Sequence, residues 1–174
     1  MVKNDFGIVA QLIKTVKNIV VFTGAGVSVE SGIPPFTGQG GLWTQYDPSF
    51  IEISFFYNNP LRSWQEIKKI VYDHLLKDTK PNLAHTSIAK LKNVKAVITQ
   101  NIDGLHQAAG SKVVHEFNGT LHTLKCMKCG KQYKVEDVKF DNRPPKCSAC
   151  DGRLKPDFVF YGEGINSQVY QASV

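Results

Sequence analysis

Apolar residues recur at helical spacing at the start of the chain. Phe6, Val9, Leu12, Ile13 and Val16 share one face and predict a helix over residues 5–17. The periodicity then changes. Ile19-Val20-Val21-Phe22 is a continuous apolar run, as expected of a strand buried on both faces, and it runs directly into Thr23-Gly24-Ala25-Gly26-Val27-Ser28. Residues 34–41 are rich in Pro and Gly and read as loop. Residues 60–77 and 82–92 return to helical spacing, the second with Leu83, Ile88 and Leu91 turned inward. Lys95–Thr99, Lys112–Phe117 and Phe158–Tyr161 predict three further strands.

Strands that alternate with helices or loops imply an α/β fold with a Rossmann-like parallel sheet. The pattern supplies fewer strands than a sheet covered on both faces needs, so the sheet reads as incomplete at its C-terminal end. The domain division expected is a large unit over 1–112, with a helical and loop insertion at about 34–92. A metal-binding module with its connecting strand follows over 113–156, then a return strand and tail over 157–174.

All four cysteines fall in one stretch, as Cys126-Met-Lys-Cys129 and Cys147-Ser-Ala-Cys150, with 17 residues between the pairs. Two C-x-x-C knuckles at this distance match four-thiolate zinc, each turning its amides toward its sulfurs. Gly130 and Gly152 follow the knuckles and can supply the positive φ such turns need. No ligand is left over to open a coordination position, which makes the zinc structural. Disulfides or a redox pair are the alternative, disfavoured where no secretion signal is found.

The 174 residues are 42% hydrophobic and 21% charged, a globular composition with no apolar run of membrane-spanning length and no signal-like N-terminus, so a cytoplasmic protein is the expectation. The formal net charge of +6 tolerates an acidic partner without demanding one. Four zinc thiolates add about −2 and lower it to about +4. Lys125, Lys128, Lys131, Lys134, Lys139, Arg143 and Lys146 crowd the zinc segment, which permits a nucleic-acid-binding ribbon, but no stacking pattern of aromatics accompanies them.

Two clusters carry candidate chemistry. Gly24-x-Gly26 after a strand lets backbone amides approach a pyrophosphate, although Val29 stands where a third glycine is usual and no acidic residue closes a second strand. A merely tight turn is the alternative. Gln100-Asn101-Ile102-Asp103 follows a strand, at the carboxyl end where ligands bind in parallel sheets. Gln100, Asn101 and Asp103 suit an amide or ribose hydroxyls, while Asn101 and Asp103 equally suit capping of the next helix.

Taken together, Gly24–Pro34, Lys80-Pro-Asn-x-Ala-His85, Thr99–His106, the paired knuckles and Phe160-Tyr-Gly-Glu163 resemble the sirtuins, NAD-dependent protein-lysine deacylases, over about residues 5–163. The resemblance implies a Rossmann-like domain and a smaller zinc domain with the ligand cleft between them. It implies that Gly24, Ala25, Gly26, Ser28, Ile33 and Phe36 line the NAD site and that Gln100, Asn101, Ile102 and Asp103 form the nicotinamide and ribose pocket. Phe158, Val159, Phe160, Tyr161, Gly162 and Glu163 would border an acetyl-lysine peptide added as a strand. The implied reaction joins the acetyl oxygen to the nicotinamide ribose, with a histidine as general base, and yields lysine, nicotinamide and O-acetyl-ADP-ribose. The family pattern continues past Gly162-Glu163 with further strands and an adenosine-binding part, so an oligomer covering an open sheet edge is expected.

The chain departs from that pattern at three positions. Pro35 and Thr37 replace the acid and arginine of Gly-Ile-Pro-Asp-Phe-Arg, and Asn118 stands at the general-base histidine. An amide takes up no proton at neutral pH, and loss of a general base costs about 10²–10⁴ in rate. His115 points to the opposite strand face and His122 lies too far along it to substitute. Two readings follow, a deacylase or a binder of NAD, ADP-ribose or acyl-lysine that does not turn over.

Overall fold

The computed structural model describes residues 5–75, 78–141 and 143–173. Two three-stranded sheets form among the described residues. In the first, β1 (Ile19–Thr23), β2 (Val94–Thr99) and β3 (Val114–Glu116) run parallel in the order β1-β2-β3. In the second, β4 (Gly119–Cys126) pairs antiparallel with both β5 (Gln132–Lys134) and β6 (Leu154–Phe158). Helix α1 (Asp5–Thr15) precedes β1. Helices α2 (Ile53–Asn58) and α3 (Pro60–Glu66) continue into a π-helix over Ile67–Leu75, and α4 (Leu83–Lys90), α5 (Leu105–Ala108) and α6 (Ser167–Ser173) complete the set. The tail of the predicted 60–77 helix, residues 76 and 77, lies outside the described residues.

The parallel sheet and helix α1 were legible, but the expectations for Phe158–Tyr161, for burial of both faces of β1 and for Leu83 fail. The run Phe158–Tyr161 is not a fourth parallel strand. The strand is Leu154–Phe158, and it belongs to the antiparallel sheet. Its sequence, Leu-Lys-Pro-Asp-Phe, hides it from a hydrophobicity reading because Lys155 is one of its buried residues. Helix α1 leaves Phe6 79% exposed, and Val9, Leu12 and Val16 are exposed with it. In β1, Val20 and Phe22 are also exposed, so only one face of that strand is covered. Leu83 of α4 faces out, and the inward position is taken by His85.

The main core sits elsewhere, between the helical segment and the antiparallel sheet. Phe50, Phe56, Trp64, Ile67 and Ile70 pack against Leu121, Leu124, Leu154, Phe158 and Phe160. Phe56 is fully buried, edge-on to Phe160 with centroids 5.4 Å apart and near Trp64 at 6.3 Å. Trp64 Nε1–H donates to the Leu154 carbonyl at 3.1 Å, and Ser63 Oγ–H donates to the Phe50 carbonyl, which ties α3 to both sides. Phe56→Ala should therefore lower unfolding stability by about 3–5 kcal/mol, read as a reduced urea midpoint at unchanged slope. A midpoint shift worth under about 1 kcal/mol would place the core elsewhere.

Candidate functional site

A cleft of about 400 Å³ opens between the glycine bend, the bend after β2 and the end of β6. The first bend leaves β1 at Thr23 and enters a 3-10 helix, Ala25–Ser31. Gly24 caps it without a side chain. Gly32, at φ +89, ends it in the left-handed region that glycine tolerates, and its N–H bonds the Val29 carbonyl. This short turn aims Ser28 inward, 1% exposed.

The second bend brings two polar side chains onto Ser28. Asn101 Nδ2 donates to Ser28 Oγ at 3.0 Å, and Ser28 Oγ–H donates to Asp103 Oδ2 at 2.7 Å. Asp103 Oδ1 accepts the Leu105 N–H at 2.9 Å, at the start of α5. The alternatives left open by spacing resolve residue by residue. Asp103 bonds the helix start with one oxygen and faces Ser28 with the other, while Asn101 does no capping. The chain Asn101–Ser28–Asp103 fixes three polar groups on the cleft wall before any ligand arrives.

The opposite wall is the segment from Phe158 to Glu163. Val159 N–H donates to the Asn118 carbonyl at 2.8 Å, and Tyr161 N–H donates to Ile51 at 2.9 Å. Asn118 lies between the walls, its Nδ2 donating to the Gln100 carbonyl at 2.9 Å. Of the site residues singled out in the sequence, Ala25, Ser28, Ile33, Phe36, Gln100 to Asp103, Asn118 and Phe158 to Glu163 all line this cleft. Gly24 and Gly26 are not among its lining residues; a Cβ on Gly24 would sit 3.4 Å from Gln100 Oε1. Sequence reasoning missed the apolar floor, Leu42, Trp43, Phe50, Ile51, Val71 and Leu121. Trp43 stacks on Phe36 at 5.4 Å and its Nε1–H donates to the Tyr161 hydroxyl at 3.0 Å, linking the glycine-rich loop to the Phe158–Glu163 wall. No local signal distinguishes these residues from core.

His115 and His122 are not lining residues of the cleft. His122 Nε2–H instead donates to the Asp103 carbonyl at 3.0 Å, packed against Gly104, whose φ of +71 and lack of a Cβ make room for the ring.

Behind the polar wall lies a pair of buried imidazoles. Asn82 caps α4 and also donates to the Val27 carbonyl at 2.7 Å, fixing the glycine bend to the helix. The Asn82 N–H donates to His85 Nδ1, and the hydroxyl of Thr23, which donates to Thr99, accepts from His106 Nε2 at 2.9 Å. Among the described residues His85 Nε2 and His106 Nδ1 find no partner, in rings 4.8 Å apart.

The four cysteine sulfurs lie within 4.8 Å of one another, with Cys126 to Cys150 at 3.5 Å and Cys129 to Cys147 at 3.7 Å. A disulfide needs about 2.05 Å, whereas sulfurs about 2.3 Å from a tetrahedral zinc are about 3.8 Å apart. The donor set fits zinc. The amides of Lys128 and Cys129 face Cys126 Sγ, as expected of a knuckle. The Tyr133 hydroxyl, 3.0 Å from Cys147 Sγ, stabilises that thiolate and draws its pKa down to about 6. Gly130 takes positive φ, but after the second knuckle it is Asp151, not Gly152, that does so. Gly152 is required because a Cβ would strike Lys128 and Cys126 Sγ.

Residues 24–174 match the profile of the Sir2 family. The chain belongs to the Sir2 family. It is 44% identical over 168 residues to an NAD-dependent protein deacetylase of Clostridium acetobutylicum, covering 90% of this chain and 67% of the relative. It is 40% identical over 173 residues to NAD-dependent protein deacylase 2 of Pyrobaculum aerophilum, covering 95% and 67%. A solved Sir2 structure with a p53 peptide and NAD+ superposes with a TM-score of 0.83 at 36% identity, over 99% of this chain and 70% of that one. The chain thus spans about two thirds of the length of these sirtuins.

The buried histidines give this sirtuin a pH signature. Burial holds His85 below its ordinary value of 6.5; burial and then His85 do the same for His106, while Asp103 pulls both upward. The unfolded chain therefore binds protons first as pH falls. Their contribution to stability is complete above about 6.5 and is lost on acidification toward the folded values. Glu116, raised chiefly by burial, acts with the opposite sign. The histidine part is read as the difference between wild type and His85→Gln/His106→Gln. The urea midpoint of the wild type should fall relative to the variant between pH 7 and 5, and parallel curves would contradict this.

Proposed function

We propose that this chain carries the NAD and acyl-lysine cleft of a protein deacylase, with turnover slowed by Asn118. One observation carries the reading: the fixed Asn101–Ser28–Asp103 wall, the Phe158–Glu163 wall and Asn118 all face a single cleft. The names of the relatives, deacetylases and deacylases, and the Sir2 structures with NAD+ or acetylated peptide support it.

Bound NAD would supply an electrophilic ribose carbon with nicotinamide as its leaving group. Around that chemistry, the residues of this chain bind and orient. Asn101 and Asp103 sit where an amide or ribose hydroxyl finds a donor and an acceptor side by side. Ile33, Phe36, Phe158 and Phe160 exclude water from the same space. An extended peptide can lie against Phe158 to Glu163 with main-chain hydrogen bonds. The Asn118 amide, held on the Gln100 carbonyl, can orient a hydroxyl but cannot take its proton. Binding is retained and proton removal is lost.

Calorimetry on the zinc-loaded chain tests this. Acetyl-lysine peptide should bind saturably in the presence of NAD, with no binding of the unmodified peptide at the same concentrations. Absence of heat for both NAD and acetyl-peptide would overturn the reading.

A further inference from the structure

Strand β6 carries a buried lysine among apolar neighbours. Leu154, Pro156 and Phe158 flank Lys155, and all four are buried. All three N–H groups of its ammonium are engaged. Nζ donates to the Pro156 carbonyl at 2.9 Å and the Phe158 carbonyl at 2.7 Å, and pairs with Glu163 Oε2 at 2.9 Å. The charge also sits 4.0 Å from the centroid of the Phe160 ring. The same Glu163 oxygen accepts the Phe160 N–H at 2.8 Å, and the Glu163 N–H returns to the Phe160 carbonyl at 2.9 Å.

The chain from Phe158 to Glu163 is thus curled around one cation. Its two sides are anchored elsewhere: Val159 to Asn118, and Tyr161 to Ile51 and Ile53 through bonds of 2.9 and 3.0 Å. A buried ion pair is a poor stability device, since apolar residues of the same size often serve as well or better. Burial also pushes the lysine toward its neutral form, against the pull of Glu163. What the pair does supply is a fixed geometry, at the segment that forms one wall of the cleft.

We propose that Lys155 is a positioning residue for the acyl-lysine peptide: its ammonium clamps Phe158–Glu163 into the curl that holds the peptide wall in register with Asn118. This rests on the reading that acyl-lysine substrate lies against that wall, and the test separates the two. Lys155→Met alone strands the Glu163 carboxylate, so the informative variants are Lys155→Met/Glu163→Gln and Lys155→Arg, each zinc-loaded and compared with wild type.

In the double variant, amide hydrogen exchange at Phe160 and Tyr161 should accelerate about tenfold or more while β2 stays protected. Acetyl-lysine peptide affinity should fall about tenfold or more while NAD affinity stays within about twofold. Lys155→Arg, which keeps the charge and the donors, should restore peptide affinity to within about threefold of wild type. Unchanged exchange and unchanged peptide affinity in the double variant would overturn the clamp and leave the functional reading standing. Equal losses of NAD affinity, peptide affinity and zinc would also overturn it, by showing a role in folding alone. A wild-type chain that takes NAD but no acetyl-peptide would overturn both the clamp's purpose and the acyl-lysine reading.

Discussion

A variant carrying Asn118→His together with Pro35→Asp and Thr37→Arg should release nicotinamide from NAD and acetyl-peptide about 10²–10⁴ times faster than the wild-type chain. Asn118 already lies on the cleft, between the polar wall and the peptide wall, and its backbone is pinned by Val159. An imidazole placed there needs no new backbone path. It supplies the one property the amide lacks, a basic nitrogen with a pKa near neutrality. The other two changes belong in the same variant because a carboxylate and a guanidinium bring charge to the loop that carries Phe36, and threonine offers neither bidentate geometry nor permanent charge. Asn118→His alone separates proton removal from binding: it should raise the rate without changing peptide affinity. Equal rates for wild type and the triple variant, with both binding NAD and peptide, would show that Asn118 is not at the base position.

Stripping the metal should have the largest effect on stability. Structural zinc contributes about 10–16 kcal/mol of apparent binding free energy in small folds of this kind, more than the total stability of an ordinary domain. Here the cysteines are continuous with the core. Cys126 ends β4 and Cys147 is buried, and both belong to the cluster that includes Leu124, Leu154 and Trp64. A strong chelator, or Cys147→Ser, should therefore abolish protection of the β4 and β6 amides and lower the melting temperature of the whole chain. Melting curves that coincide with and without chelator, at measured zinc contents of zero and one, would contradict a structural role.

Much of the parallel sheet could be read from the chain because its signals are local. A continuous apolar run ending in Gly24-x-Gly26, and a second ending at Gln100, each announce a strand that opens onto a ligand-facing bend. The knuckles were legible for the same reason, since two C-x-x-C pairs fix their geometry within a few residues. What could not be read depends on distant partners. Leu154–Phe158 forms a strand around a buried lysine, and nothing within those five residues shows that Glu163, beyond the strand, pairs with the cation. Leu42, Val71 and Leu121 look like any core residues, and only the fold brings them to the cleft floor. In β1 the error runs the other way. The apolar run predicts burial on both faces, and Val20 and Phe22 are exposed, as Phe6 of α1 is, because an apolar pattern does not report what covers it. His85 is the subtlest case, a polar residue that takes the inward place on α4 through the capping bond to Asn82.

In the proposed function the Gly24–Ser28 bend and the Gln100–Asp103 bend form one nucleotide-binding wall. Titrating isotope-labelled, zinc-loaded chain with NAD and following backbone amide shifts tests it most directly. Saturable shifts at both bends with a common dissociation constant, and none at the exposed face of α1, are the predicted result. Shifts confined to one bend, or to neither, would contradict it.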